Sequence, residues 1–253
     1  MTILEASGLE KRFGGLRAVA GMSLHVEQGE ILGLFGPNGA GKTTVFNLVA
    51  GSLRPDAGSV VFRGRDITRL SVHQRARRGL ARTFQIVKPL RELSVLENVL
   101  VPLARNQLAG VLPLGSVRGK QRVGRATELL ERVGLADRRD ASAGSLTLGL
   151  QKRLEVARAL ALDPVLLLLD EPLAGLTRRE AQDLLGVVSG LGGQVGVVLV
   201  EHNVRLAMSV VTRAMVMDAG ELIAAGEPDA VRRDPAVIKA YLGTDEDDAG
   251  ESS

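Results

Sequence analysis

The spacing of apolar residues divides the chain into three parts, and the first and last of these mix strands with helices. Four apolar segments in the first part have the length of strands. They lie at Leu4–Leu9, Leu24–Val26, Glu30–Phe35 and Ser59–Phe62. A helix is predicted over Thr43–Ala50, where the pattern ends at Gly51. The basic stretch 71–83 is also helical in period.

The middle part of the chain, from about residue 94 to 162, shows helical patterns separated by polar joints that contain glycine. Ser94 and Glu97 form a capping box, which predicts the start of a helix. Apolar stripes over 123–133 and 150–161 predict two more helices. Residues 106–120 contain three Gly and one Pro, and they predict a loop.

In the last part, Val165–Asp170 and Val195–Val200 are continuous apolar runs, as expected for parallel strands that are covered on both faces. Arg213–Asp218 and Glu221–Ala225 flank Ala219-Gly220 and predict a hairpin. The acidic residues 244–253 are predicted to be disordered. We therefore expect one α/β domain over 1–243. Its core would span about 1–90 and 163–243, and a helical insertion would span about 91–162.

The low net charge and the small number of aromatic residues limit the possible functions. The 253 residues carry a net charge of only +3, with five Phe, one Tyr and no Trp. These aromatic residues are too few for a base-stacking platform, so we expect no nucleic-acid partner. The arginines 75, 77, 78 and 82 predict a solvated helix face more readily than a contact with phosphate or with an acidic protein.

The chain also lacks the features of exported and membrane-spanning proteins. It has no cysteine, which excludes disulfides and thiolate metal sites. The first residues do not have the pattern of a signal peptide. The longest strongly apolar run, Val165–Leu169, is far shorter than the roughly 20 residues of a membrane helix. Any role in a membrane process would therefore require a partner.

A phosphate-binding loop is the strongest chemical signal. Gly36, Gly41, Lys42 and Thr43 fit the spacing G-x-x-x-x-G-K-[ST] between a predicted strand and a predicted helix. Glycines allow backbone N–H groups to surround phosphate oxygens, Lys42 supplies positive charge, and the Thr43 hydroxyl can ligate Mg²⁺. The predicted contacts to nucleotide are Gly36, Pro37, Asn38, Gly39, Ala40, Gly41, Lys42, Thr43 and Thr44.

A second signal lies at the end of the apolar strand that precedes Pro172. Asp170 is placed to hold Mg²⁺ through water, and Glu171 is placed to polarise an attacking water. The alternative, a strand followed by an ordinary charged loop, is less favoured in a chain that also has a phosphate-binding loop.

With these motifs the chain resembles ATP-binding cassette ATPases over about residues 3–243. The resemblance implies a P-loop NTPase (RecA-like) core with an antiparallel β subdomain and an inserted α-helical subdomain. It implies that Gln85 contacts Mg²⁺ or the attacking water, that His202 contacts the γ-phosphate, and that Phe13 stacks on adenine. Taken alone, Gln85 is typical of a surface residue and Phe13 of a core residue.

The signature segment, residues 146–150, departs from the family pattern L-S-G-G-Q. Thr147 keeps a hydroxyl and Gly149 keeps the close approach, and the resemblance implies that both contact the ATP held by the opposing subunit. Leu148 replaces a glycine and Leu150 replaces the glutamine. Thr177 stands where the family's D-loop usually has Asp. It also begins a capping box with Glu180, so both a purely structural cap and a D-loop role are open for Thr177.

The stretches 76–85, 93–98 and 234–243 resemble the ATP-binding subunits of branched-chain amino-acid importers. Relatives of these subunits serve urea, amides and other small solutes, and the solute does not contact this subunit. The implied partners are permease subunits, a second ATPase subunit in a homo- or heterodimer, and indirectly a periplasmic or extracellular solute-binding protein. The implied location is the cytoplasmic face of the membrane. Alternatives are a non-transport cassette protein, a nucleotide-binding module without turnover and a small-molecule kinase.

Overall fold

The computed structural model describes residues 1–83, 89–104 and 117–247. Within these ranges the strands are β1 (Thr2–Phe13), β2 (Leu16–Glu27), β3 (Ile31–Phe35), β4 (Ala57–Phe62), β5 (Arg65–Asp66), β6 (Leu80–Arg82), β7 (Leu166–Asp170), β8 (Gly196–Val200), β9 (Arg213–Asp218) and β10 (Glu221–Gly226). The helices are α1 (Lys42–Ala50), α2 (Val72–Ala76), α3 (Val95–Leu103), α4 (Val117–Arg132), α5 (Leu148–Leu160), α6 (Arg178–Ser189), α7 (Val204–Ala207), α8 (Pro228–Arg232) and α9 (Pro235–Asp247).

The strands form two sheets. An antiparallel sheet has the order β2-β1-β4-β5, and a six-stranded sheet has the order β10-β9-β3-β8-β7-β6. Neighbouring strands of the second sheet run parallel, except for the antiparallel pair of β9 and the edge strand β10. This arrangement confirms the predicted α/β core with an antiparallel β subdomain.

Every residue of β3, β7 and β8 is buried because the parallel sheet is covered on both faces. Leu166 and Leu168 of β7 pack with α1 and the antiparallel sheet. Leu167 and Leu169 face the other way and pack with α3, α4, α5 and α6. The alternation along one strand thus joins the two hydrophobic cores, and helices α3 to α5 lie on the second of them.

The basic stretch 71–83 is only partly helical, so the prediction of one helix there is wrong. Helix α2 ends at Ala76, and Gly79 has a φ of 96°, which breaks the helix. The chain then forms β6, which pairs in parallel with β7. Burial of Leu80 and Ala81 at this sheet edge outweighs the local helical pattern.

The arginine cluster also divides. Arg77 and Arg78 are exposed, as a solvated face requires, whereas Arg75 is completely buried and Arg82 is half-buried. Arg82 lies over the Phe46 ring at 5.1 Å and donates to the Ser52 hydroxyl at 2.7 Å. The predicted solvated face is therefore wrong for these two residues.

Arg75 ties the end of α1 to the segment before α2. Its guanidinium donates to four backbone carbonyl oxygens, at distances of 2.6 to 3.1 Å, those of Leu48, Val49, Thr68 and Leu70. Burial lowers the pKa of Arg75 to about 10, although Asp66 opposes the shift. The carbonyls of Leu48 and Val49 belong to the last turn of α1, where a cation complements the helix dipole.

Two further predictions need correction. Residues 117–120 begin α4 instead of forming a loop, because α4 packs its apolar face on α3 and α5 and tolerates Gly119 near its start. Helix α9 extends to Asp247 and thus includes the first residues of the predicted disordered segment, since Val237 and Tyr241 anchor it to the core. No helix in the described ranges has the length and apolar character needed to cross a membrane.

Candidate nucleotide-binding site

The phosphate-binding loop joins β3 to α1, and two of its glycines, Gly36 and Gly41, are packed against backbone. Gly36 and Gly41 have φ values of 147° and 96°. A Cβ at Gly36 would overlap the carbonyl oxygen of Met217, and one at Gly41 would overlap that of Ala18. The loop is therefore fixed between β9 and β2, with its N–H groups at the start of α1.

Lys42 is buried within the loop, with only 6% of its surface exposed. Its ammonium donates to the carbonyl oxygens of Gly36 and Pro37, both at 2.7 Å. Burial lowers the pKa of Lys42, and the charge of Glu171 opposes that shift. The amine is thus close to the carboxylate at the end of β7, and phosphate oxygens would compete with the two carbonyls for it.

Asp170 ends β7 with only 3% of its surface exposed, and its Oδ1 atom is buried without a hydrogen-bond partner. Burial raises the pKa of this carboxyl, the charge of Glu171 raises it further, and Arg82 opposes the rise. A buried carboxylate oxygen without a partner fits a cation ligand. Thr43 lies at the start of α1 and is exposed. Among the described residues, no cluster of three or more His, Asp or Glu offers another metal site.

Glu171 has a strained backbone, with a φ of 45°. Its N–H donates to the carbonyl oxygen of Val200 at 2.9 Å, which joins the end of β7 to the end of β8. Its own carbonyl oxygen accepts a hydrogen bond of 3.2 Å from the ammonium of Lys152 in α5.

His202 follows β8 and is exposed, whereas the preceding Glu201 is completely buried. One oxygen of Glu201 accepts a hydrogen bond of 2.7 Å from the N–H of Leu173. Burial raises the pKa of Glu201, partly offset by this bond and by the charge of His202. Glu201 and His202 line a cavity of about 430 Å³ together with Ala174 and Leu176. The structure thus brings His202 beside the segment that follows Glu171.

Phe13 lies at the end of β1 with 46% of its surface exposed, so it is not a core residue. The Lys11 ammonium lies 5.8 Å from the centre of its ring. An exposed ring is available for stacking on a base. Gln85 lies outside the described residues.

In the signature segment, Thr147 caps α5 and accepts a hydrogen bond of 3.5 Å from the N–H of Leu150. The Thr147 hydroxyl also donates to Glu180 at 3.5 Å. A Cβ at Gly149 would lie 2.8 Å from the same carboxylate. The signature segment therefore contacts an acidic side chain of its own subunit.

Glu180 also completes the capping box at the start of α6, where it accepts a hydrogen bond of 2.8 Å from the Thr177 hydroxyl. Hydrogen bonds from Thr177, and more weakly from Thr147 and Gly149, lower the pKa of Glu180. The structure confirms the predicted capping box, and a D-loop role for Thr177 stays a prediction. The hydrogen bond between Thr147 and Glu180 joins residues that are 33 positions apart in the sequence, so no local sequence pattern predicts it.

Sequence reasoning also missed Lys152, Glu201 and Tyr241. The Tyr241 hydroxyl lies beside the backbone N–H of Gly36, and burial raises its pKa to about 12 although that N–H opposes the rise. Helix α9 thereby reaches the start of the phosphate-binding loop. Glu201 directly follows an apolar strand, which is its only signal in the sequence, whereas Lys152 lies between Gln151 and Arg153 and has no signal of its own.

Comparison with known proteins places these features in a family. The family described as "ABC transporter" matches residues 19–174, and that described as "Branched-chain amino acid ATP-binding cassette transporter" matches residues 221–247. The branched-chain amino acid transport ATP-binding protein BraF of Pseudomonas aeruginosa is 43% identical, over 95% of this chain and 98% of that protein. LivG of Escherichia coli, with the same described role, is 40% identical over the same shares.

Similarity also extends to a protein with a different described role and to a solved structure. The lipopolysaccharide export ATP-binding protein LptB of Escherichia coli is 40% identical, over 97% of this chain and 99% of that protein. A crystal structure of an ATP-binding cassette of an ABC transporter in its ADP conformation superimposes with a TM-score of 0.83. It is 33% identical, with 96% of this chain and 99% of that chain covered.

Proposed function

Because this chain belongs to the ABC transporter family and is an ATPase subunit of it, we propose that it powers the import of branched-chain amino acids through separate permease subunits. The observation that carries the proposal is that the buried Lys42 amine of the phosphate-binding loop interacts with the charge of Glu171, which lies beside the buried Asp170 at the end of β7. These groups supply what phosphoryl transfer to water requires, namely a cradle for phosphate, a cation ligand and a base.

In the proposed mechanism, the site residues have different tasks. The loop from Gly36 to Thr44 binds the phosphates, with Lys42 on the β- and γ-phosphates. Glu171 orients and polarises the attacking water, His202 contacts the γ-phosphate, and Phe13 stacks on adenine. Thr43, Asp170 and Gln85 would hold Mg²⁺, which when bound neutralises charge on the phosphates.

The proposed assembly pairs this chain with a second ATPase subunit, either a copy of itself or a related chain. Thr147 and Gly149 would then complete the site whose phosphate-binding loop lies on the other subunit. Leu148 and Leu150 give this chain an unusual signature segment, and such a segment suits a heterodimer with two unequal sites. Equal loss of turnover after mutating Glu171 and its counterpart in the partner would contradict the unequal pair.

The C-terminal segment favours branched-chain amino acids as the solute. Overall identity separates the alternatives poorly, because LptB is almost as similar as LivG. Residues 221–247, however, match the segment described for branched-chain amino acid cassettes. Urea, amides or another small organic solute remain the alternative within this group. The subunit would lie at the cytoplasmic face of the membrane, and it would meet the solute-binding protein only through the permeases.

Replacement of Glu171 by Gln tests the site. We expect hydrolysis by the full chain to fall by about 10²-fold or more, because the base is lost, while binding of a fluorescent ATP analogue persists. Glu128→Gln is the matched control, since Glu128 lies on the surface of α4, where it pairs with Arg125. Hydrolysis by Glu171→Gln at the wild-type rate would remove Glu171 from its proposed role.

Reconstitution with the permease subunits and the solute-binding protein tests the solute. We expect leucine or valine to stimulate ATP hydrolysis, and urea and amides to have no effect. Stimulation by urea alone would contradict the proposed solute while leaving the ATPase role intact.

A further inference from the structure

The backbone of Glu171 is held in a conformation that only glycine adopts readily. Its φ of 45° places it in the left-handed region. A residue other than glycine keeps this conformation when its surroundings fix it, and such residues cluster at functional sites. The hydrogen bond from its N–H to the carbonyl oxygen of Val200 fixes the peptide unit that precedes Glu171. The peptide unit that follows Glu171 is fixed through its carbonyl group.

The carbonyl oxygen of Glu171 accepts a hydrogen bond from the ammonium of Lys152 at 3.2 Å. Lys152 lies in α5, and only 7% of its surface is exposed. Burial lowers the pKa of Lys152, whereas the charges of Glu201, Glu155 and Glu171 oppose the shift. A buried ammonium is costly unless it is bonded and its charge is balanced, and here it has both a carbonyl acceptor and acidic neighbours.

Two elements therefore hold the short segment from Glu171 to Leu173. The end of β8 holds it through Val200 and Glu201, which bind the N–H groups of Glu171 and Leu173. Helix α5 holds it through Lys152. Helix α5 is also the helix that begins at Thr147, so its first two turns carry both the signature segment and the amine that contacts Glu171.

We propose that Lys152 is a positioning residue for Glu171. Lys152 fixes the backbone of Glu171 so that the Glu171 carboxylate faces the attacking water, and it links Glu171 to α5, the helix that begins with the signature segment. The proposal rests on the proposed function, because it assumes that Glu171 acts on that water. Lys152 itself touches neither nucleotide nor water in this scheme. Its effect on turnover passes through one peptide unit.

Three variants of the full chain test this role. Lys152→Met keeps the length of the side chain and removes the donor, and Lys152→Arg restores a donor. Arg153→Met is the matched control: Arg153 lies next in α5 and pairs with Asp183 of α6 at 2.8 Å. The control therefore loosens α5 from α6 without removing the amine at Glu171.

We expect Lys152→Met to lower kcat about tenfold with unchanged KM, and to leave the dissociation constant for a fluorescent ATP analogue unchanged. In the nucleotide-free protein, hydrogen exchange of the amides of Glu171 and Leu173 is expected to quicken about fivefold. Lys152→Arg is expected to recover at least half of the wild-type kcat. Arg153→Met is expected to lower Tm while kcat stays within twofold. In a Glu171→Gln background, Lys152→Met is expected to lower the residual rate no further.

A Lys152→Met variant whose kcat and exchange rates stay within twofold of wild type would overturn the inference. Equal losses of kcat in Lys152→Met and Arg153→Met would also overturn it, since they would show a general effect of α5. The proposed function fails separately, if Glu171→Gln alone hydrolyses ATP at the wild-type rate.

Discussion

The phosphate-binding loop and the signature segment are both built at the start of a helix, but they are supported in opposite ways. Gly36 and Gly41 lie against carbonyl groups of neighbouring strands, and Lys42 is buried among backbone oxygens. In the signature segment, Leu148 is 42% exposed, and the close neighbour of Gly149 is the flexible carboxylate of Glu180. The phosphate-binding loop is therefore held firmly by backbone, whereas the signature segment, which we propose to contact a partner subunit, is held by side chains that can move. Two of the departures from the family pattern, Leu148 and Leu150, lie in this signature segment.

The largest effect is expected from Gly36→Ala. Its Cβ would overlap the Met217 carbonyl, and backbone cannot move aside as a side chain can. We expect a loss of about 4 kcal/mol in the free energy of unfolding, measured by urea denaturation. Gly39→Ala is the control, because Gly39 also has a positive φ, 79°, but meets no atom within 4 Å. We expect about 1 kcal/mol for it, and equal losses in the two variants would contradict a packed loop.

Arg75→Met probes the support behind the loop, at the far end of α1. Four carbonyl groups would lose their charged donor, and those of Leu48 and Val49 lie in the last turn of the helix. We expect a loss of about 3 kcal/mol in unfolding free energy, measured in the same way. Arg77→Met is the matched control and should change it by no more than about 0.5 kcal/mol, because Arg77 is exposed. A small effect of Arg75→Met would show that the loop stands without this anchor.

Gly149→Ala should cost far less than Gly36→Ala. The added Cβ meets the Glu180 side chain, at 2.8 Å from Oε1, and that side chain can rotate away. We expect a loss of about 1 kcal/mol or less in unfolding free energy, and no loss beyond that of Glu180→Ala when both changes are combined. A loss as large as that of Gly36→Ala would remove the contrast between the two segments.

The smallest effect is a difference in pH dependence between two glutamates. The folded-state pKa of Glu201 is raised above 4.5, so relative to Glu201→Gln the wild type should lose stability as pH rises from 4.5 through that pKa. The folded-state pKa of Glu180 is lowered, so relative to Glu180→Gln the wild type should lose stability as pH falls from 4.5 through that pKa. Urea denaturation from about pH 3 to about pH 8 would separate the two. Shifts in the same direction would contradict the assignment.

Periodicity predicted most of the fold because each strand or helix carries its pattern in a few adjacent residues. Examples of such local patterns are the continuous apolar runs of β7 and β8, the end of α1 at Gly51 and the capping boxes at Ser94 and Thr177. The structure adds a third capping box at Ser71. The segment 71–83 was predicted wrongly because pairing with β7, some 85 residues later, decides its structure.

The phosphate-loop residues and the two carboxylates could be identified from the sequence because family motifs hold them at fixed spacing. Their catalytic roles stay predictions. It could not indicate their supports. Arg75 looked like a surface charge, yet carbonyl groups distant in the chain surround it. Lys152 of α5 donates a hydrogen bond to the carbonyl oxygen of Glu171, and Glu180 of α6 lies against Gly149. Such contacts depend on how helices pack, which no local pattern of residues records.

The position of Tyr241 gives the chain a built-in optical reporter. It is the only tyrosine in a sequence without tryptophan, so near-ultraviolet absorption and fluorescence come almost wholly from this ring. Its hydroxyl lies beside the backbone of Gly36. The arrival of a nucleotide at the loop should therefore change the emission of the unlabelled protein, and binding can be followed in real time with the natural sequence intact.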